Sequence, residues 1–512
     1  MITVIRRYPT LAAFVILLIF SLLLHVRLLP AVADTDSFYH FGHASIYKTS
    51  GIFTSAFPWT QYSVMKTYAA DLWYGFHILL IPLTLFVNPL SGIYVGAFLT
   101  TVVSLLLIYA AFRRLQVRWP LFWTLVVAFI TADLLYRLTM LRPHPLSLGL
   151  SMLLFAYLVT EKSRRSQLAV FLIAAASAWL HIALIWLPIL IIGTVGLIDF
   201  AFKRKINWVT LGAFFPGLIA GIILRPNPIG AVKLAYIQVA KLLLEKGGGL
   251  PLRFGRELSP FVWENFADQL VPITILIILA MGIFLSSAQV KKLASAWSSL
   301  LVSLIFFALT FLVARRSNEV FVGFAVIFVS LVFSHWRPAD KKSWLTRAVG
   351  LAALIALIYA PFKNLHRFDT YLTNAFDPSH FQAVSAWLKT NSQSEAIVFN
   401  THWDSFGQLF FWNRQNYYIN GMDPIFEYAY SPSLYWKTHF YAIDAATAAT
   451  CGKIRCTSEE VEDTYSVLKN DFHASYILLE KRRNPQLNKY LSIALKFSRV
   501  FETDKEVLYK LL

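Results

Sequence analysis

Charge and cysteine are both scarce in this chain. Only 14% of its 512 residues are charged, against 57% hydrophobic, which leaves too little polar surface to coat a water-soluble globule and points to a bilayer. There are two cysteines, Cys451 and Cys456, a poor basis for a zinc centre. No solenoid repeat or low-complexity tract interrupts the chain. Acidic residues are the minority, 28 against 46 Lys and Arg, for a formal charge of +18. That excess does not indicate a nucleic-acid partner, because much of it sits in short clusters between apolar runs, where membrane topology demands it. The first apolar stretch, Pro9 to Pro30, lacks a small-residue cleavage site of the usual kind and is expected to be a retained signal anchor.

Apolar runs long enough for a hydrocarbon core of about 30 Å fall at roughly 9–30, 91–111, 120–137, 145–160, 207–224, 270–288, 295–314, 318–335 and 347–361. The run 167–199 is too long for one helix and is interrupted by Trp179, His181 and Pro188, so it divides in two and brings the total to about eleven. Asp71 to Val87 is assigned to an interfacial helix in the first external loop. The clusters Arg6/Arg7, Arg113/Arg114/Arg118, Lys162/Arg164/Arg165, Lys203/Arg204/Lys205, Lys291/Lys292 and Arg337/Lys341/Lys342 then share one side, as cytoplasmic loops should. The amino terminus lies inside, and loops 31–90, 138–144, 225–269 and 315–317 lie outside. Residues 1–361 thus form a polytopic α-helical membrane domain, and 362–512 an extracytoplasmic tail. The strand-like Ala396 to Phe399 and the mixed segments Ser466–Leu479 and Val500–Leu511 mark that tail as a small α/β domain. Cys451 and Cys456 both belong to it, where a disulfide is favoured over free thiols.

The first external loop opens with Asp34-Thr-Asp36-Ser-Phe-Tyr-His40-Phe-Gly-His43. Two carboxylates so close at a membrane surface repel each other unless a cation or a basic group neutralises them. A hard ion such as Mg2+ or Mn2+ suits carboxylate oxygens and keeps positions open for phosphate; two solvated loop aspartates are the plainer alternative. Arg142-Pro-His144-Pro in the second external loop and Arg315-Arg316-Ser-Asn-Glu319 in the last one break the inside-positive pattern. Outward guanidinium groups suit a phosphate partner, whereas an ion pair with Glu319 needs only one of the two arginines. His181 reads as a helix-end histidine, and His40 and His43 are further candidates beside the aspartates.

These residues resemble the GT-C superfamily of integral-membrane glycosyltransferases, and within it the catalytic subunit of oligosaccharyltransferase. Asp36-Ser-Phe38-Tyr39-His40 is similar to the D-x-[YF]-Y-[HN] segment that follows the first span of that family. Arg316-Ser-Asn-Glu-Val-Phe321 is similar to its late arginine segment, with Gly323 where a proline is usual. Thr401-His402-Trp403-Asp404-Ser-Phe406-Gly407, followed by Asn413-Arg414-Gln-Asn416, looks like the W-W-D-Y-G run and its sequel, with His402 for the first tryptophan and Phe406 for the tyrosine.

The resemblance implies that Asp36, with Asp34, binds a divalent cation and acts in catalysis. It implies that Arg316, joined by Arg315 and Arg142, meets a lipid-linked phosphate, and that Trp403, Asp404 and His402 hold the acceptor. The family's second acidic motif is replaced by Arg142-Pro-His144-Pro, so that either His144 completes the metal site or the site holds metal weakly or not at all. The expected reaction moves a sugar or oligosaccharide from a polyprenyl phosphate or diphosphate to a protein, glycan or lipid acceptor on the outer face, with a bacterial plasma membrane as the setting. A lipid or glycan carrier should instead show ionisable residues inside several spans. A non-catalytic membrane assembly protein would not need the aspartates.

Overall fold

The computed structural model describes residues 9–160, 163–204, 208–337, 344–419 and 421–512. Six helices are long and apolar enough to cross a membrane: Pro9–Val26, Pro89–Arg114, Ile182–Phe202, Ala294–Leu312, Arg315–His335 and Thr346–Leu372. A seventh follows if Trp208–Ile223 and Pro228–Gly247, bent by 105° at their junction, make one broken span. The protein is therefore an integral membrane protein. Fewer helices pass this test than the eleven or so expected, because several expected spans are shorter. Pro120–Phe129, His144–Val159 and Val271–Ser286 are apolar helices of 10, 16 and 16 residues.

The expected span over 120–137 is broken for a local reason. Its helix ends at Phe129, and Thr131, in extended conformation, accepts the Leu134 N–H and caps a separate helix, Ala132–Arg137. The expected break near His181 is present, between helices Arg164–Leu180 and Trp186–Lys203. The Asp71–Val87 segment is helical from Tyr74 to Leu80 and continues as a 3-10 turn to Leu85. It is not simply an interfacial element, since Trp73, Phe76 and His77 are buried in the protein. The last long helix runs from Trp344 to Leu372 with Pro361 inside it, so it carries past the expected boundary at 361. Of the basic residues assigned to the cytoplasmic side, Arg6, Arg7, Lys162, Lys205, Lys341 and Lys342 lie outside the described residues.

The tail is α/β. Its strands are β1 (Ile397–Asn400), β2 (Tyr417–Tyr418), β3 (Ala449–Thr450), β4 (Glu462–Asp463), β5 (Tyr476–Glu480), β6 (Phe497–Glu502) and β7 (Glu506–Leu511). Five of them form one sheet in the order β2-β1-β5-β7-β6. β1 is parallel to β2 and β5, and β7 is antiparallel to β5 and β6. The burial of every residue from Val398 to Asn400, and from Tyr476 to Leu479, fits strands covered on both faces. Cys451 and Cys456 form a disulfide just after β3.

The helix Phe406–Trp412 seats this tail on the helix Asp36–Ser50. Phe411 meets Phe38 edge-on at 5.3 Å between ring centroids, and Arg414 donates to the Gly42 carbonyl at 3.0 Å. Gly407 permits the closest approach, since a Cβ there would stand 2.4 Å from the Thr35 carbonyl oxygen. The tail is thereby pinned one residue from Asp36.

Candidate functional site

The helix Asp36–Ser50 begins with an acid in its first turn, where the positive end of the helix dipole favours a carboxylate. Asp34 precedes that helix and is buried, accepting from Ser37 Oγ and from Arg142 Nε. Arg142 reaches Asp36 as well, Nη2 to Oδ2 at 2.9 Å, and thus bridges both aspartates. The Ser37 hydroxyl in turn accepts the backbone N–H of Leu141 at 3.1 Å, which ties the start of the helix Asp36–Ser50 to the segment before the helix His144–Val159. Burial pushes the Asp36 carboxyl up to about 6, against the opposing pull of Arg142.

Four further charges, Glu257, Arg137, Arg316 and Glu319, complete the network. Glu257, in a 3-10 turn from Arg256 to Leu258, accepts from Arg137 at 2.7 Å and lies 3.4 Å from Arg316 and 3.7 Å from Arg142. Its burial alone would raise the carboxyl, but Arg137, Arg316 and Arg142 together hold it well below the usual carboxylate range. Arg137 also pairs with Glu319 at 2.5 Å. Arg316 contacts His144, whose ring lies edge-on to His181 at 4.5 Å between centroids. The Nε of Arg316 is buried and has no partner among the described residues.

Asp36, His40, Arg142, His144, Glu257, Arg316 and Asp423 line a single cavity of about 400 Å³. The remaining wall is largely apolar and includes Leu187 and Leu190 of helix Trp186–Lys203 and Phe306 and Leu309 of helix Ala294–Leu312. A short π-helical stretch, Ile237–Lys241, contributes Gln238 and Val239, a local widening of the kind often found at functional sites. The cavity can therefore take an anionic group at its charged end and hydrocarbon along its other wall.

Several expected site residues lie elsewhere. Arg315, next to Arg316 in sequence, does not line the cavity; it forks onto Asp133 at 2.8 Å to each oxygen and covers the Phe261 ring. His402 bonds Asn484 at 2.9 Å and Asp404 pairs with Arg483 at 3.0 Å, beyond the ends of β1 and β5. Neither they nor Trp403 border the cavity, to which the tail contributes Met422 and Asp423. Burial raises the Asp423 carboxyl to about 7. His43 is buried behind the cavity wall against Asp71 and His77.

Each of the three expected metal ligands is in contact with an arginine. Asp34 is turned away from the cavity onto Arg142 and Ser37, Asp36 faces the cavity while paired with Arg142 at 2.9 Å, and the His144 ring is engaged by Arg316. The Arg142 guanidinium occupies the place between the two carboxylates that a divalent ion would take. Sequence reasoning missed Glu257, Asp71, His77 and Asp423 as site residues. Of these only Asp71 and His77, six residues apart on a segment with an excess of aromatic side chains, left a readable signal.

No protein-family model matches the chain, and no curated protein matches its sequence. Solved structures do match its fold. ArnT from Cupriavidus metallidurans bound to undecaprenyl phosphate superposes with a TM-score of 0.59 at 10% identity over 98% of both chains. The Archaeoglobus fulgidus oligosaccharyltransferase tethered to an acceptor peptide containing the NVT sequon matches with a TM-score of 0.57 at 13% identity, over 93% of this chain and 69% of that one. The arabinofuranosyltransferase AftD from Mycobacteria matches with a TM-score of 0.57 at 12% identity, over 97% of this chain, which spans only 40% of AftD. All three are GT-C glycosyltransferases, and the chain has the GT-C fold.

Proposed function

We propose that this protein is a membrane glycosyltransferase that moves a sugar from a polyprenyl phosphate or diphosphate to an acceptor on the extracytoplasmic face, in a bacterial plasma membrane. The observation that carries this reading is the union, in one cavity, of Arg316, whose buried Nε–H has no partner among the described residues, with a wall of leucine and phenylalanine. A phosphate joined to a long hydrocarbon has these two halves, and the ArnT structure of the same fold contains undecaprenyl phosphate.

Arg316 and Arg142 bind the phosphate and stabilise the charge that grows on it as the glycosidic bond breaks. Glu257 holds Arg316 and Arg142 in place before the donor arrives and yields Arg316 to it. Asp36, beside them on the cavity wall, orients the acceptor. Met422 and Asp423 bring the tail to the same space, where acceptor and donor meet. These steps are assigned to the chain's own residues; a divalent cation at Asp34, Asp36 or His144 would have to displace an arginine.

The reading is tested by supplying the purified protein in lipid nanodiscs with polyprenyl-phosphate-linked sugars and a panel of glycan, lipid and peptide acceptors. Transfer that depends on Asp36 supports it. A protein that neither binds undecaprenyl phosphate nor consumes any such donor is not this enzyme.

A further inference from the structure

Behind the cavity lies a chain of buried polar groups that the reading above does not use. Asp71 Oδ2 receives His77 Nδ1 at 2.6 Å and the Tyr47 hydroxyl at 2.9 Å, and Oδ1 receives the Trp73 backbone N–H at 2.8 Å. His77 Nε2 stands 2.8 Å from His40 Nδ1. His40 borders the cavity, one helical turn from Asp36 on the same helix face, and its Nε2 makes no hydrogen bond among the described residues. All three side chains are buried, with His77 wholly so.

A divalent cation is a weaker explanation of this cluster. His43, Asp71 and His77 do bring ligand atoms within 4.8 Å of one another. Yet the rings of His43 and His77 are stacked, 4.4 Å apart and 15° from parallel, so their in-plane lone pairs do not converge on one point. Asp71 and His77 are at direct hydrogen-bond distance, with no room for an ion between them.

The order of protons follows from the carboxylate. Ionised Asp71 has none to give, so His77 carries its proton on Nδ1. With His77 neutral, its bare Nε2 accepts from His40 Nδ1–H, which leaves the lone pair of His40 on Nε2, at the cavity. Burial disfavours the charged form of His40, which accords with a neutral ring at rest.

Resting on the transferase reading above, we propose that His40 takes the proton of a hydroxyl acceptor, with Asp71 and His77 as the positioning residues that hold its Nε2 bare. As the acceptor oxygen bonds to the anomeric carbon, the bond from that carbon to the phosphate oxygen breaks and its electron pair leaves with the phosphate. The acceptor O–H proton passes to His40 Nε2. The His40 Nδ1 proton shifts toward His77, so that the positive charge develops beside the Asp71 carboxylate, as a carboxylate stabilises the imidazolium in Ser-His-Asp sites.

The test uses the full chain in nanodiscs, labelled with 15N-histidine, with His40→Gln to assign the His40 signals. His40 protonated on Nδ1 and bare on Nε2 is the expected state; a proton on Nε2 overturns the proposal. In turnover of an undecaprenyl-phosphate-linked sugar onto a hydroxyl acceptor, His40→Gln, which keeps a hydrogen-bond acceptor but no base, is expected to lower kcat about 100-fold or more. Asp71→Asn is expected to do likewise while moving the His40 proton to Nε2. Both should leave the donor KM within about twofold, since neither residue faces the phosphate. Unchanged kcat in His40→Gln overturns the relay while leaving the transferase reading intact. A wild-type protein that consumes no polyprenyl-linked sugar removes the transferase reading, and the nitrogen signals then decide the proton order by themselves.

Discussion

Arg315 forks onto Asp133, with both oxygens of that carboxylate at 2.8 Å, while its sequence neighbour Arg316 turns into the cavity. Asp133 also accepts the Tyr371 hydroxyl at 2.7 Å, so the pair joins the loop before helix Asn318–His335 to the short helix Ala132–Arg137 and the long helix Trp344–Leu372. Arg315→Ala is therefore expected to lower stability by about 1–3 kcal/mol, the scale of charge-assisted hydrogen bonds in a partly buried pair. Thermal unfolding in detergent measures it. A fall in donor affinity without a fall in stability would place Arg315 at the phosphate after all.

Arg316→Ala should show the opposite profile. Each charge-assisted hydrogen bond to a phosphate contributes about 1.5–3 kcal/mol, so the KM or Kd for undecaprenyl phosphate should rise about 10- to 150-fold. Arg316→Lys should recover only part of this, since an ammonium lacks the planar fork. Titration of the lipid phosphate against both variants reads the effect, and unchanged affinity in Arg316→Ala removes Arg316 from the donor site.

Much of this arrangement is legible in the residues themselves, and the missing parts have physical causes. Asp36, Arg142, His144 and Arg316 are polar groups at the ends of apolar runs, and such groups stand out against a hydrophobic background. β1 announces itself as Ala396 to Phe399 between polar flanks, and its partner β5 lies inside the mixed segment ending at Leu479. Glu257 does not announce itself, because it sits in a three-residue turn within a long loop, and its role exists only once three arginines from other segments surround it. Asp71 and His77 stand out on their aromatic-rich segment, but their link to His40, 37 residues from His77, exists only in the fold. The short helix Ala132–Arg137 is hidden inside an apolar run, since one threonine cap outweighs hydrophobic continuity there.

Glu257 offers a test in which stability and affinity move in opposite senses. Its carboxyl is held below its ordinary range, so it stabilises the fold wherever the unfolded chain is already ionised, above about pH 4.3, and that contribution is lost only as pH falls through the depressed folded value. Glu257→Gln should lower the Tm by a margin that stays constant from pH 7 to about pH 4.5 and shrinks only in stronger acid. At the same time it frees Arg316, so affinity for undecaprenyl phosphate should rise about fivefold, or about 1 kcal/mol. Weaker binding in this variant would show that Glu257 supports the phosphate site instead of competing for it.

Commitment of Asp34 and Asp36 to Arg142 has a further consequence. Removal of divalent ions with a chelator should leave transfer within about twofold of its untreated rate, since Arg142 already neutralises both carboxylates. Arg142→Ala leaves the buried Asp34 and the half-buried Asp36 uncompensated and should cost about 3–5 kcal/mol of stability. Loss of transfer on chelation, with recovery by Mg2+ or Mn2+, would mean that donor binding releases Arg142 and lets Asp36 take up a cation.

Gly407 tests whether the tail sets the geometry of Asp36. A methyl group there meets the Thr35 carbonyl oxygen at 2.4 Å, a backbone atom held at the start of the Asp36–Ser50 helix. Because neither backbone can yield like a side chain, Gly407→Ala must push the two helices apart, at a cost of about 1–3 kcal/mol. The displacement falls one residue from Asp36, so transfer should drop by more than the loss of folded protein explains, while undecaprenyl phosphate still binds through Arg316. Gly212→Ala is the matched control: it sits inside the helix Trp208–Ile223 with nothing within 4 Å of its Cβ position. There the added methyl should be neutral or stabilise by up to about 1 kcal/mol. Equal behaviour of the two variants would show that the contact between tail and membrane domain tolerates a separation that the acceptor geometry cannot depend on.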